Sequence, residues 1–187
     1  MKYILALFLT VSLAAMVRSQ EYVGLAVKTN LLSLVAKRPS FSVEKTFKQR
    51  YGLEFSYATG KLNIGREYEY SGFLLRGKMY AYEIKKREIT PFFGAYIGSL
   101  DKTIVSNNAY THPTGFLSFG NVRNFKANSF RSGVNLGFVY IPGKRFLLET
   151  TTGFGYGKYF DVETFQGSYA PKGYFDFQLW LSVGYRF

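Results

Sequence analysis

The sequence predicts an all-β chain folded as an eight-stranded antiparallel transmembrane β-barrel, and three observations carry that expectation. Apolar side chains recur at every second position through segments of about ten residues, the length a tilted strand needs to cross a bilayer. The composition is rich in Phe (19), Tyr (16) and Gly (19), with a single Trp, a mixture suited to curved sheets. The links between segments alternate between short and long, which gathers the short turns at one end of a ring of strands.

The alternation can be followed in order. A first strand is expected from about 22 to 34, where Val23, Leu25 and Val27 alternate before "NLLSLV" blurs the pattern. A second, about 40 to 47, sets Phe41, Val43 and Phe47 against Ser42, Glu44 and Thr46. The third, 51 to 59, sets Tyr51, Leu53, Phe55 and Tyr57 against Gly52, Glu54, Ser56 and Ala58. The fourth, about 70 to 84, sets Phe73, Leu75, Met79 and Ala81 against Leu74, Arg76, Lys78 and Tyr80. The fifth, about 89 to 100, is apolar on both faces, so the pattern leaves its register open.

A sixth strand is expected from about 125 to 141, with Val134, Leu136, Phe138 and Tyr140 opposite Gly133, Asn135, Gly137 and Val139. The seventh, about 146 to 156, sets Leu148, Thr150, Thr152, Phe154 and Tyr156 against Leu147, Glu149, Thr151, Gly153 and Gly155. The eighth is the closing stretch "GYFDFQLWLSVGYRF". Its large apolar row from Phe175 to Phe187 alternates with Asp176, Gln178, Trp180, Ser182, Gly184 and Arg186. Short charged links (KQR, EIKKRE, IPGKR) join strands two to three, four to five and six to seven. Longer polar links include 101 to 124 and 157 to 173.

The first residues read differently. Lys2 precedes an apolar run from Tyr3 to Val17 that ends in "VRSQ", the pattern of a secretory signal peptide. At about 15 residues that run is shorter than the roughly 20 of a spanning helix. Residues 1–19 are therefore expected to be removed, leaving a barrel of residues 20–187. Removal takes away Lys2 and Arg18 and no acid, so the formal charge of +12 falls to +10. Most of the remaining lysines and arginines are expected simply to solvate loops and turns; where an exported chain meets a counter-charge, it is expected to be anionic lipid or lipopolysaccharide phosphate, and no nucleic-acid partner is expected. With no cysteine, disulfides and thiolate metal sites are excluded.

The two faces decide the solvent. A soluble eight-stranded barrel turns its apolar face inward. Here the polar set is small and often Gly, Ser, Thr or Ala, which suits a narrow interior and leaves the aromatics for lipid. Charges on the inner face, namely Glu44, Glu54, Arg76, Lys78, Arg131, Glu149 and Arg186, are costly alone and must pair. They are expected to form an interior polar network, with no cofactor and no metal.

The ending Tyr185-Arg186-Phe187, after alternating apolar residues, resembles the C-terminal assembly signal of Gram-negative outer-membrane barrels. The resemblance implies that the barrel-assembly machinery recognises Tyr185 and Phe187 during insertion. The stretch "LAVKTNLLSL" resembles the first strand of small outer-membrane barrels of unknown function from Bacteroidetes-type bacteria. Some relatives are encoded near fimbrial assembly genes, which implies a surface-structure role. The broader architecture is similar to the OmpA transmembrane domain and OmpX. These likenesses imply an outer-membrane location with periplasmic termini.

Enzymatic readings have few residues to use. Lipid A deacylases of the PagL type need a His beside a Ser in the barrel wall, and PagP-type acyltransferases use a loop His with Asp and Ser. The single histidine, His112, lies in "YTHPTG" of the long third outer link, in the same link as Asp101 and Ser106; a loop histidine before a proline is more often a turn residue than a general base. No P-loop, zinc pair or EF-hand spacing occurs. The expectation is a noncatalytic outer-membrane scaffold whose outer loops meet lipopolysaccharide or a surface protein partner. The alternatives are an OmpW-like transport barrel for a small solute or hydrophobic ligand, and a lipid A-modifying enzyme.

Overall fold

The computed structural model describes residues 24–34, 38, 40–63, 67–105, 124–165 and 171–187. Eight strands run in chain order around a closed barrel. They are β1 (Leu25–Asn30), β2 (Ser40–Phe47), β3 (Tyr51–Asn63), β4 (Glu67–Tyr80), β5 (Ile89–Val105), β6 (Asn124–Tyr140), β7 (Phe146–Phe165) and β8 (Gly173–Arg186). Every neighbouring pair is antiparallel, and β8 returns to β1 from Ala26↔Arg186 to Asn30↔Ser182.

Period-two alternation becomes an inside and an outside because successive side chains of a strand leave opposite faces. Phe175 is 70% exposed, whereas Thr90 and Ser129 are fully shielded. Large apolar groups therefore coat the exterior while small and polar groups fill the lumen, the reverse of a soluble core. The register of β5, ambiguous in the sequence, is decided by its neighbours. Thr90, Phe92, Tyr96, Leu100 and Lys102 point inward, and Ile89, Phe93, Ala95 and Ile97 point outward.

Two apolar layers pack inside. Tyr80, Phe92, Val139 and Leu147 meet Ile84 and Ile141, which tuck in from the short turns and stopper that end. Farther along, Leu74, Tyr96 and Trp180 form a second cluster. Bulky Tyr96 fits because Gly133 and Gly155 face each other beneath it: a Cβ on Gly133 would lie 2.7 Å from its hydroxyl, and one on Gly155 2.4 Å.

The strand extents differ from the periodicity in instructive ways. The first strand stops at Asn30, and Leu31–Leu34 form a 3-10 turn. Asn30 Oδ1 accepts from the Leu32 amide at 3.1 Å, and Ser33 Oγ donates to the Asn30 carbonyl at 2.6 Å, so local polar bonds end the ladder. The fourth strand runs from Glu67 to Tyr80 and does not reach Ile84. The strands enter the expected long loops: β5 continues to Val105 and β7 to Phe165. Pairing prolongs these strands where the apolar alternation has already faded: β5 has β4 and β6 on its two sides, while β7 beyond Lys158 is held by β6. The expected signal peptide, residues 1–19, lies outside the described residues.

Candidate functional site in the barrel lumen

Strands β1, β2, β3, β4 and β7 each turn a charged side chain into the same level of the lumen. Glu44 and Glu54 sit opposite each other in the β2–β3 register, and Glu54 faces Arg76 across β3–β4. Lys28 Nζ lies 2.7 Å from Glu44 Oε2 and 2.9 Å from Glu149 Oε2, and it also bonds Glu54. Lys78 Nζ reaches the same three carboxylates at 2.9, 2.6 and 2.7 Å. Arg76 donates to Glu54 Oε1 at 2.5 Å and to Ser56 Oγ at 2.7 Å, while the Tyr80 hydroxyl donates to Glu44 Oε1 at 2.5 Å.

All six charged groups are buried. Three cations against three carboxylates leave the cluster formally neutral, and nearly every oxygen has a donor, the condition under which buried charges are tolerated. The carboxylate triad has oxygens within 4.8 Å of one another, a spacing that could suit a cation. Two lysine ammoniums already occupy its centre, so the donor set does not fit a metal.

Toward the loop side the lumen opens into a cavity of about 340 Å³ whose lining includes Tyr68, Tyr70, Lys102, Arg131, Asp176 and Trp180. Asp176 accepts from Tyr96 Oη at 2.8 Å and Gln178 Nε2 at 2.6 Å, and Arg131 Nη1 stands 3.5 Å from it. Arg131 Nε has no hydrogen-bond partner among the described residues. Lys102 Nζ sits 3.1 Å from the centroid of the Tyr174 ring. Arg76 stacks over Trp180 at 4.1 Å and reaches Gln178 Oε1 at 3.4 Å, linking the ion cluster to the cavity.

The residues expected in one interior network thus fall into separate places. Glu44, Glu54, Arg76, Lys78 and Glu149 meet in the ion cluster; Arg131 belongs to the cavity; Arg186 is buried near the short-turn end, its amide donating to the Arg145 carbonyl at 2.7 Å. Lys28, which makes three of the cluster's ion pairs, was not singled out in the sequence, although it stands opposite Leu25 and Val27. Asp176 lay on the inner row but outside the expected network. At the C-terminus the Tyr185 and Phe187 rings pack edge to face at 5.1 Å, and the Phe187 amide donates to the Leu25 carbonyl at 2.8 Å.

Asp101 belongs to β5, not to a loop, and is exposed on the outer face. That separates it from the lumen. Ser106 and His112 lie outside the described residues.

A family model described as "Protein of unknown function (DUF3575)" matches residues 3–172. The chain belongs to the DUF3575 family. Among solved structures, this DUF3575 chain is similar to Neisserial surface protein A at 12% identity and a TM-score of 0.47, over 87% of this chain and 96% of that one. A comparison with curated proteins found no match.

Proposed function

We propose that this protein is a noncatalytic barrel of the outer membrane, with periplasmic termini and loops that present a surface to lipopolysaccharide or a protein partner. One observation carries the reading: an exterior of large apolar side chains surrounds a lumen filled by a neutral ion cluster. Along β8 the apolar row from Phe175 to Tyr185 spans about 33 Å of strand, or about 25 Å of height at a tilt of about 40°, matching the lipid-facing band of such barrels. On the loop side the exterior charges Lys61, Glu69, Asp101, Lys126 and Lys158 sit beyond it, and the outer row of β2 carries Lys45 between Val43 and Phe47.

The filled lumen supports a scaffold over an axial channel. Glu44, Glu54 and Glu149 are shut away from substrate and bound to cations, which disfavours using them as acids or bases. The turns support the orientation, since β2–β3, β4–β5 and β6–β7 are joined by short links at the same end as Gly24 and Phe187, and short turns face the periplasm in this class of barrel. Recognition of Tyr185 and Phe187 by the barrel-assembly machinery and a fimbrial surface role extend the same reading.

Planar-bilayer recording tests it. The refolded protein is expected to insert without steady ohmic steps; stable, salt-dependent conductance from heat-modifiable protein would overturn the sealed-scaffold reading.

A further inference from the structure

The loop-side cavity holds positive charge that the protein does not balance. Lys102 and Arg131 line it, and Asp176 is the one carboxylate among its described lining residues. Both cations are more than nine-tenths buried. Asp176 already accepts from Tyr96 and Gln178, and its contact with Arg131 is long at 3.5 Å. That contact is the only hydrogen bond of the Arg131 guanidinium among the described residues, and Nε makes none. Lys102 has no carboxylate within ion-pair distance among those residues. Its ammonium rests on the Tyr174 ring and reaches the Tyr159 hydroxyl only at 3.5 Å.

Buried charges are ordinarily paired, and the ion cluster lower in the same lumen pairs its three cations with three carboxylates. A tyrosine face attracts an ammonium but leaves its charge in place. The loop segments outside the described residues, 35–37, 39, 64–66, 106–123 and 166–170, contain neither Asp nor Glu. The described acids at this end, Glu67, Glu69, Asp101, Asp161 and Glu163, do not line the cavity. Two cations against one carboxylate leave the site one positive charge in excess, and nothing in the loop segments of the chain can neutralise it.

We propose that this cavity binds a solute of about monosaccharide size that carries a phosphate monoester. Lys102 and Arg131 hold the phosphate through charge-assisted hydrogen bonds, with the guanidinium able to fork onto two oxygens. A phosphate monoester brings close to two negative charges and three acceptor oxygens at neutral pH, so it serves both cations where a carboxylate has only two oxygens to divide. Arg131 stands opposite Gly98 and Lys102 opposite Ala127, four residues apart along the wall, and the two side chains meet the anion from different heights. Tyr68, Tyr70 and Trp180 line the same space and offer flat rings to the carbon skeleton. A volume of about 340 Å³ is at the small end of ligand sites, which suits one sugar ring with its phosphate. The solute comes from the loop side, because the ion cluster fills the lumen below.

Trp180 lines the cavity and is the only tryptophan of the chain, so its fluorescence reports on this site. The refolded full chain in a nonionic detergent is titrated with glucose 1-phosphate, glucose, inorganic phosphate and lysophosphatidic acid. A saturable response to glucose 1-phosphate is expected, at least about tenfold tighter than to glucose, as befits one or two charge-assisted bonds, and tighter than to the other two probes. Lys102→Met and Arg131→Met should each weaken it about tenfold, and Asp176→Asn, which removes the competing acceptor, should tighten it several-fold. Glucose binding as tightly as its phosphate, or an unchanged affinity in both folded Met variants, would overturn the proposal. Inorganic phosphate binding as tightly as the sugar phosphate would show an adventitious ion only, and tighter binding of lysophosphatidic acid would show a lipid site; either overturns it as well. If the Met variants do not fold, the probe comparison and Asp176→Asn decide. Gel mobility with and without boiling is read on every sample: wild type that is soluble without detergent refutes the membrane reading, whereas a heat-modifiable barrel lacking the sugar phosphate response refutes the site alone.

Discussion

At Glu54 the interior cluster is most exposed to perturbation, because this one carboxylate bonds Lys28, Lys78 and Arg76 at once. Glu54→Ala takes away the carboxylate of Arg76 and leaves Lys28 and Lys78 with two each, so the buried cluster gains an uncompensated positive charge. It should cost about 3 kcal/mol or more of stability, read as a lower urea midpoint for loss of the compact band on a gel. Removing charge in balance is gentler: Lys28→Met combined with Glu149→Gln should cost less than the sum of the single changes, because each partner is left without the other's demand. Additive losses from the pair would argue against direct coupling. Most cluster members were legible in the sequence because strand parity assigns a charged residue to a face. Their division into a neutral cluster and a cationic cavity was not, since parity says nothing about height along the barrel axis.

Among the elements, the turn after β2 shows where local chemistry yields to the sheet. Lys48 and Gln49 have φ of 48° and 52°, the left-handed region at both central positions that a tight hairpin with the right twist requires. Neither is the Gly or Asn such a turn favours, and each L-residue there costs about 1 kcal/mol. Gln49→Gly should therefore stabilise the barrel by roughly 1 kcal/mol, measured by the same urea titration; a loss of stability would mean that the side chain compensates locally. The closing pair β1–β8 depends on the last residue, whose amide bonds Leu25. Deleting Phe187 should lower the fraction of protein recovered as a heat-modifiable barrel in cells, and an unchanged yield would count against its role in assembly.

At the scale of the whole barrel, charge among the described residues is divided unevenly between the two ends. The three short turns expose Lys48, Arg50, Lys85, Lys86, Arg87, Lys144 and Arg145 against Glu83 and Glu88, a net +5. On the loop side, among the described residues, Arg38, Lys61, Lys126, Lys158 and Lys172 are matched by Glu67, Glu69, Asp101, Asp161 and Glu163. Among the described residues the positive excess gathers at the short-turn rim, where it would meet the headgroups of the leaflet at that end. Folding into vesicles should be faster when they contain anionic phospholipid, and the advantage should shrink with added salt. Replacing Lys85, Lys86 and Arg87 with Gln should remove much of it; a rate indifferent to lipid charge would contradict the assignment.

Strand number, order, the inside and outside faces of seven strands and the all-β class were determined by the sequence alone, because a period of two and alternating link lengths are local properties of the chain. The register of β5, apolar on both faces, waited for β4 and β6 to hold it. The early end of β1 and the long extension of β7 were likewise decided only in three dimensions, since a strand continues as far as it has partners and stops where side chains such as Asn30 and Ser33 offer its backbone another bond. Lys102 and Arg131 are single basic residues in the sequence, and only the closure of the barrel places them in one cavity.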